Sequence, residues 1–161
     1  MGRYWIVLAA SAAAACSSIP QPGHIPQLLD GWFHITQSGA GGAEQSSVLA
    51  VEQGEGGVRF VQTNPLGVPL ARQIVNERQG WRNDGFVMPN AASRRLFAAM
   101  LPMLAEDGGA AVYPGLHRRS TADGVCFSRN RRILWCTVQS GSGWLVKLPG
   151  QTQWTVVPLR Y

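Results

Sequence analysis

Two kinds of hydrophobic pattern follow one another after residue 30. Most of this region alternates apolar with polar residues, the pattern of half-buried strands, and glycine, asparagine or proline separates the segments. The alternation predicts nine strands, at 32–37, 47–52, 58–63, 69–76, 79–88, 125–129, 133–139, 143–148 and 153–159. Segment 79–88 fits either one strand or two short ones. The closely spaced turns predict successive antiparallel hairpins.

The pattern changes period over residues 91–104. Apolar residues recur there at spacings of one, three and four, which predicts one amphipathic helix; they are Leu96, Phe97, Met100, Leu101 and Leu104. Asn90 or Ser93 is available as the N-cap. Pro102 lies inside the segment, so we expect the helix to end near Leu101 or to kink there.

Nine strands and one long helix in about 130 residues are too few for two separate cores. The predicted fold class is therefore mainly β (α+β): a curved antiparallel sheet, a half-barrel, with one principal helix on its concave face. Such a bowl leaves an apolar hollow suited to a hydrophobic ligand. The candidate lining residues are Phe33, Ile35, Leu49, Val51, Phe60, Trp81, Leu96, Phe97, Met100 and Leu104. The alternative is that these side chains pack on each other as an ordinary core.

Composition narrows the class of protein. The chain has 161 residues, of which 45% are hydrophobic and 14% charged, enough apolar material for one globular domain. The net charge of +5 comes from fourteen Lys and Arg against nine acids. The arginines form small separate clusters, at 94–95, 118–119 and 129–132, rather than one continuous basic face. This distribution argues against nucleic-acid binding.

The first fifteen residues have the pattern of a signal peptide. Arg3 provides a positive charge, residues 4–15 are mainly apolar, and three alanines precede Cys16. The arrangement resembles a bacterial lipoprotein signal, in which Cys16 is acylated and becomes the new N-terminus. Ala13 stands where that pattern prefers leucine. Ordinary cleavage after Ala15, leaving Cys16 as a free thiol, is the alternative.

The domain boundaries follow from this leader. Residues 1–15 form the signal peptide, residues 16–29 the lipidated cysteine and a flexible proline-rich tether, and residues 30–161 a single domain. Acyl chains on Cys16 would hold the protein firmly to a bilayer. By resemblance to enteric lipoproteins, Ser17 rather than Asp implies the outer membrane. We therefore expect a lipid-anchored protein on the periplasmic face of the outer membrane.

Export places Cys126 and Cys136 in an oxidising compartment. With a turn centred on Arg131, Cys126 faces Cys136, Phe127 faces Trp135 and Ser128 faces Leu134. The two thiols then share one face of a hairpin, which favours a cross-strand disulfide; two separate buried thiols are the alternative. Their ten-residue spacing lacks the pattern of a metal site or a Cys-x-x-Cys redox pair.

The segment Thr63-Asn64-Pro65-Leu66-Gly67, between two predicted strands, resembles a loop of the outer-membrane lipoprotein receptor LolB. The order of the elements is also similar to that family, and small lipoproteins of the DUF3261 type have a similar outline. The resemblance implies a half-barrel that receives the acyl chains of lipoproteins, or another lipid, from a periplasmic LolA-like carrier. It implies that Leu66 faces the membrane or a partner. The alternative is a turn leucine folded back onto the sheet.

The chain also departs from that family. It lacks room for the full set of helices that covers the cavity of the larger receptors, and the cysteine pair is not part of the family pattern. Asp30 stands where the receptors have a basic residue. We therefore carry over Leu66 alone.

An enzyme is not expected, and neither is a cofactor or a metal. The chain has no nucleophile elbow, zinc-protease motif or P-loop, and His24, His34 and His117 lack metal-ligand spacing. The rival function is a scaffold lipoprotein of an envelope or secretion complex, without a ligand cavity.

Overall fold

The computed structural model describes residues 18–39 and 41–160. The predicted signal peptide and the predicted lipidation site at Cys16 lie outside the described residues. Ten strands and one helix follow in chain order: β1 (Gly31–Ser38), β2 (Gln45–Gly54), β3 (Gly57–Thr63), β4 (Pro69–Asn76), β5 (Gly80–Asn83), α1 (Ala91–Met103), β6 (His117–Thr121), β7 (Gly124–Arg129), β8 (Arg132–Ser140), β9 (Gly143–Lys147) and β10 (Gln153–Pro158). The structure is thus mainly β, with one helix, as predicted.

The ten strands form one open antiparallel sheet in the order β5-β4-β3-β2-β1-β10-β9-β8-β7-β6. The first five strands wind outward from β1, and α1 crosses to the opposite edge. The last five strands return until β10 pairs with β1. Each half is a chain of hairpins, because a short turn can join only antiparallel neighbours.

The sheet must bend around the helix. Ten flat strands would extend over roughly 45 Å, whereas a helix is only about 10–12 Å across. Yet Val75 of β4, Phe127 of β7 and Leu101 of α1 belong to one buried cluster. One face of every strand except β6 supplies or packs against this cluster, as the period-two alternation requires. The predicted concave side is therefore the side that carries α1.

The start and end of α1 depend on two specific hydrogen bonds. Asn90 is the N-cap, and its side chain accepts from Ser93 N. The helix does not end at Leu101 but continues through Pro102 to Met103. Proline has no N–H to donate to the carbonyl of Ala98, four residues earlier. The buried hydroxyl of Tyr113 donates to that carbonyl instead, at 2.7 Å. Burial raises the pKa of Tyr113 well above its ordinary value, so this donor stays protonated.

The hairpin of β7 and β8 contains the predicted disulfide. Cys126 and Cys136 face each other with their Cα atoms 4.1 Å apart and are bonded. Phe127 pairs with Trp135 on the opposite, buried face.

The predicted register is wrong nearer the turn, where Ser128 pairs with Ile133 and not with Leu134. Asn130 and Arg131 both have positive φ, which makes a tight two-residue turn and leaves Leu134 as the extra residue of a bulge.

One strand, β6, was not predicted from the sequence. β6 has the sequence His-Arg-Arg-Ser-Thr, and all five of its residues are exposed. It forms one edge of the sheet and covers no core, so its sequence shows no apolar alternation. β5 is shorter than predicted and ends at Asn83, because the chain after it turns away in a loop that leads into α1.

Residues 18–29, predicted as part of the tether, lie packed against the domain; we call them the N-terminal strap. Pro20, Pro22, Pro26 and Leu28 are buried. Gln53 donates to the carbonyl of Pro26 and accepts from the amide of Leu28. Further hydrogen bonds join the strap to the segment after α1, including Glu106 N to Gln27 O at 3.0 Å. The proline content does keep the strap extended, but its apolar side chains bind it to the core.

Glu77 holds the middle of the strap. Its carboxylate accepts from the amide of Ile25 at 2.8 Å and lies 3.1 Å from Nδ1 of His24. The hydrogen bond from Ile25 has the largest effect and lowers the pKa of Glu77 below its ordinary value of 4.5. Desolvation opposes this effect, and the charge of His24 and its hydrogen bond lower the pKa by smaller amounts.

A carboxyl with a lowered folded-state pKa stabilises the fold above its ordinary pKa, and this contribution is lost as the pH falls through the lowered value. We therefore expect hydrogen exchange at Ile25 N to accelerate, relative to its intrinsic rate, below pH 4.5. The substitution Glu77→Gln should remove that pH dependence, whereas Glu44→Gln in the loop between β1 and β2 should keep it. Identical acid profiles for the Glu77→Gln variant and the unmodified protein would contradict this assignment.

Candidate functional site

The predicted lining residues lie at the centre of the core. Nine of the ten are at most 3% exposed, and Trp81 is partly buried. Phe60 stacks on Phe97 with ring centroids 5.1 Å apart, and its ring lies 5.7 Å from that of Trp81. Across the core, Phe33 lies 6.5 Å from Trp144. The middle of the bowl is thus filled by these side chains.

An apolar cavity lies beside this filled centre. It has a volume of about 460 Å³, is partly open to solvent, and falls in the range of about 300–1,000 Å³ typical of small-molecule sites. Helix α1, strand β8 and the start of the strap enclose it, so we call it the α1–β8 cavity. The described residues that line it are Ser18, Ile19, Pro20, Arg95, Ala98, Arg132, Ile133, Leu134, Trp135 and Pro149. None of the ten predicted lining residues is among them.

The wall of the α1–β8 cavity combines apolar side chains with positive charge. Arg95 of α1 is partly buried and Arg132 at the start of β8 is exposed, while the described lining includes no acid. Trp135 is 2% exposed, and its indole Nε1 is buried without a hydrogen-bond partner in the described structure. A buried N–H without an acceptor is unfavourable. This wall therefore presents apolar surface and positive charge to a ligand.

A local irregularity explains why the sequence did not reveal this cavity. Alternation in a regular strand sends every second side chain to one face. In β8, four consecutive residues, 132–135, line the cavity. The bulge at Leu134 breaks the alternation at this point. The other lining residues come from loops and from the strap, which carry no period; only the cluster of arginines at 129–132 marks the place in the sequence.

A second candidate surface lies at one end of the sheet. Five of the exposed large hydrophobic residues belong to two neighbouring segments; they are Leu66, Val68, Leu70, Phe86 and Met88, and we call them the apolar end patch. Leu66 is 88% exposed. Its loop is held by Asn64, whose side chain accepts from Leu66 N at 3.0 Å and from Val68 N at 2.9 Å. Leu66 is therefore held outward, not folded back onto the sheet.

The other half of the apolar end patch comes from the segment between β5 and α1. Phe86 at its tip is fully exposed. Arg72 of β4 binds this segment on both sides of the tip, since its amide donates to Val87 O and its carbonyl accepts from Asp84 N. The Asp84 carboxylate also lies 3.0 Å from Nε of Arg59 and 3.1 Å from Nη2 of Arg72. Both segments thus attach to β4. Phe86 was not singled out from the sequence because it lies within predicted strand 79–88.

The remaining candidate groups stay apart. His34 is exposed on β1 and His117 on β6, while His24 pairs with Glu77. Among residues 18–39 and 41–160, no three His, Cys, Asp or Glu side chains lie close enough together to hold a metal ion. Within the same ranges, no helix has the length and apolar character needed to cross a membrane.

No protein-family model, no curated protein and no solved structure shows a significant match to this chain. The α1–β8 cavity and the apolar end patch are therefore the features of this protein that indicate a function.

Proposed function

We propose that this chain is a membrane-anchored lipoprotein of the LolB type that binds an acyl chain and helps to deliver lipids or lipoproteins to the outer membrane. The observation that carries this proposal is the α1–β8 cavity, a partly open apolar space of about 460 Å³. The open sheet with one helix on its inner side agrees with the outline of a half-barrel. In this proposal Cys16 carries the lipid anchor on the periplasmic face, and a LolA-like carrier supplies the cargo.

The size of the cavity restricts the ligand. A methylene group occupies about the volume of one liquid water molecule, roughly 30 Å³, so the cavity has room for on the order of 15 of them. That is one long acyl chain. A triacylated cargo would place only one of its chains in the cavity at a time. Transfer then needs no covalent step, only a gradient of affinity from carrier to cavity to bilayer.

The apolar end patch supplies the contact with the bilayer in this proposal. Large side chains held outward by rigid loops cannot be buried by a local rearrangement, so they gain most from a partner or a membrane. Helix α1 is close in the chain to the patch and lines the cavity: it begins at Ala91, shortly after Met88, and contributes Arg95 and Ala98 to the cavity. A chain leaving the cavity and a bilayer touching the patch would thus meet the same helix.

The test measures how well hexadecanol, a neutral long-chain ligand, displaces a pyrene-labelled alkane from the purified protein. Ile133 lines the cavity and is 49% exposed. We expect Ile133→Asn to weaken probe binding roughly three- to tenfold, because it removes part of an apolar side chain's burial energy. Leu29→Asn is the matched control, since Leu29 is 51% exposed and does not line the cavity.

Organic extraction of the purified protein followed by mass spectrometry completes this test. We expect an acyl lipid to copurify in near-stoichiometric amount. Protein that is free of lipid and fails to bind the neutral probe would refute the proposed function. Equal weakening by Ile133→Asn and Leu29→Asn would remove the cavity as the binding site.

One observation favours a second candidate, the scaffold lipoprotein without a ligand. The centre of the bowl is filled by Phe60, Phe97 and their neighbours. In a scaffold the apolar end patch would bind another protein. The same extraction experiment separates the two functions, because a scaffold yields no lipid.

A further inference from the structure

We infer that the α1–β8 cavity selects single-chain amphiphiles with an anionic head group, a carboxylate or a phosphate, which Arg132 holds while the chain occupies the apolar interior. This inference rests on the proposed function and specifies its ligand class.

The charges of the described lining residues favour a ligand with a negative charge. The lining contains two arginines, while all nine acids of the chain lie elsewhere. Arg132 is exposed although it lines the cavity, so it stands at the opening, and Arg95 approaches from α1. Apolar walls strengthen the attraction between a cation and an anion because they lower the local dielectric constant. An anionic head group is therefore favoured at this opening and a cationic one is repelled.

The positively charged lining residues are arginines, and their geometry restricts the chemical class of the head group further. A guanidinium presents paired N–H donors whose geometry matches a carboxylate or a phosphate. A neutral hydroxyl head group carries no opposite charge and has one oxygen, so it cannot accept the two parallel hydrogen bonds that a carboxylate or a phosphate accepts from the same side chain. A guanidinium has donors only and a carboxylate has acceptors only, so the two are complementary.

The surrounding chain holds this arginine in place. Arg132 begins β8 and pairs with Arg129 of β7 across the two-residue turn. The Nη1 of Arg129 donates to the carbonyl of Ser18 at 3.5 Å, which joins the hairpin to the strap at the edge of the cavity. Arg131 lies in the turn itself and is exposed, outside the lining. Arg131 and Arg132 are adjacent and both exposed, but only Arg132 contacts the cavity. They therefore provide a matched pair of positions for experiment.

The experiment measures displacement of the pyrene-labelled alkane by four ligands with the same chain: hexadecanoic acid, hexadecyl phosphate, hexadecanol and hexadecyltrimethylammonium, below their micelle concentrations. We expect the two anions to bind roughly tenfold or more tightly than the alcohol, as a charged hydrogen bond warrants, and the ammonium to bind least. Arg132→Gln should remove most of this difference, so that the acid, the phosphate and the alcohol bind with similar affinity. Arg131→Gln should change neither, and Arg132→Lys should keep the preference for anions but reduce it.

The outcomes separate the two proposals. Tighter binding of the phosphate than of the carboxylate indicates a phospholipid-like source, and equal binding indicates a fatty acid or any single-chain anion; both support the inference. Equal affinity for the acid and the alcohol, or an unchanged preference in the Arg132→Gln variant, overturns it while the proposed function stands. Failure of all four ligands to bind refutes the proposed function itself. A urea denaturation curve for each variant shows that the fold is intact.

Discussion

Replacing Phe97 with alanine should destabilise the protein by about 3–5 kcal/mol, the cost of removing a fully buried phenyl ring from a packed core. Phe97 is 0% exposed, and its ring stacks on Phe60 at the centre of the bowl. Loss of the ring leaves a void between α1 and β3 that rigid neighbours cannot close. The measurement is the free energy of unfolding from urea denaturation, followed by circular dichroism.

Phe86→Ala is the matched control, because it removes the same ring from a fully exposed site. We expect it to change the free energy of unfolding by less than about 0.5 kcal/mol. A loss below about 1 kcal/mol for Phe97→Ala would contradict a filled centre. In that case the residues first predicted to line the hollow would again become candidates for contact with a ligand.

Charged substitutions in the apolar end patch should abolish binding to membranes without affecting the fold. Leu66 and Phe86 are 88% and 104% exposed, and each would bury its side chain in a bilayer. Burial of such a side chain contributes about 1.5–3 kcal/mol, and 1.4 kcal/mol is a factor of ten. We therefore expect Leu66→Glu and Phe86→Glu each to weaken binding at least tenfold. The double variant should show no detectable binding.

The measurement is cosedimentation with vesicles of phosphatidylethanolamine and phosphatidylglycerol. It uses the chain from Ser17 onward, which retains every described element but lacks Cys16, the cysteine proposed to carry the anchor. Leu29→Glu is the control, since Leu29 is 51% exposed but lies outside the patch. Vesicle binding that survives the double variant would exclude the apolar end patch from the membrane contact. Loss of binding in the Leu29→Glu variant would show that any added negative charge is sufficient.

Together these two experiments assign different roles to two phenylalanines only eleven positions apart in the sequence. We expect Phe97 to contribute to folding and Phe86 to surface recognition. Their neighbours in the sequence do not distinguish them, because both lie in segments rich in apolar residues. Their different burial in the folded structure does distinguish them.

Local patterns in the sequence were sufficient for most of the fold. Phe60 of β3 was predicted to face inward and is buried, and the alternation of the strand buries Val58 and Gln62 on the same face. Asn90 was one of two predicted caps and is the one used. The pairing of Cys126 with Cys136 followed from counting outward from a turn, although the turn itself was misplaced by a bulge.

Other features carry no local signal. The edge strand β6 buries neither face, so no apolar pattern marks it. The N-terminal strap has the composition of a flexible linker, yet Pro26 and Leu28 are buried against the domain. Nothing in the sequence of the strap itself indicates that burial. The same holds for Tyr113, whose hydroxyl compensates for the donor that Pro102 lacks. Each of these depends on a partner distant in the chain.

The amino-acid sequence by itself determined which residues face inward, where the helix begins and which cysteines pair, because hydrophobic period, capping and hairpin geometry act over a few residues. Only the tertiary structure decided which of the inward side chains fill the interior and where space remains. Volume is a property of surfaces that meet from distant parts of the chain. The α1–β8 cavity exists because a bulge, a helix and a strap meet without filling the space between them.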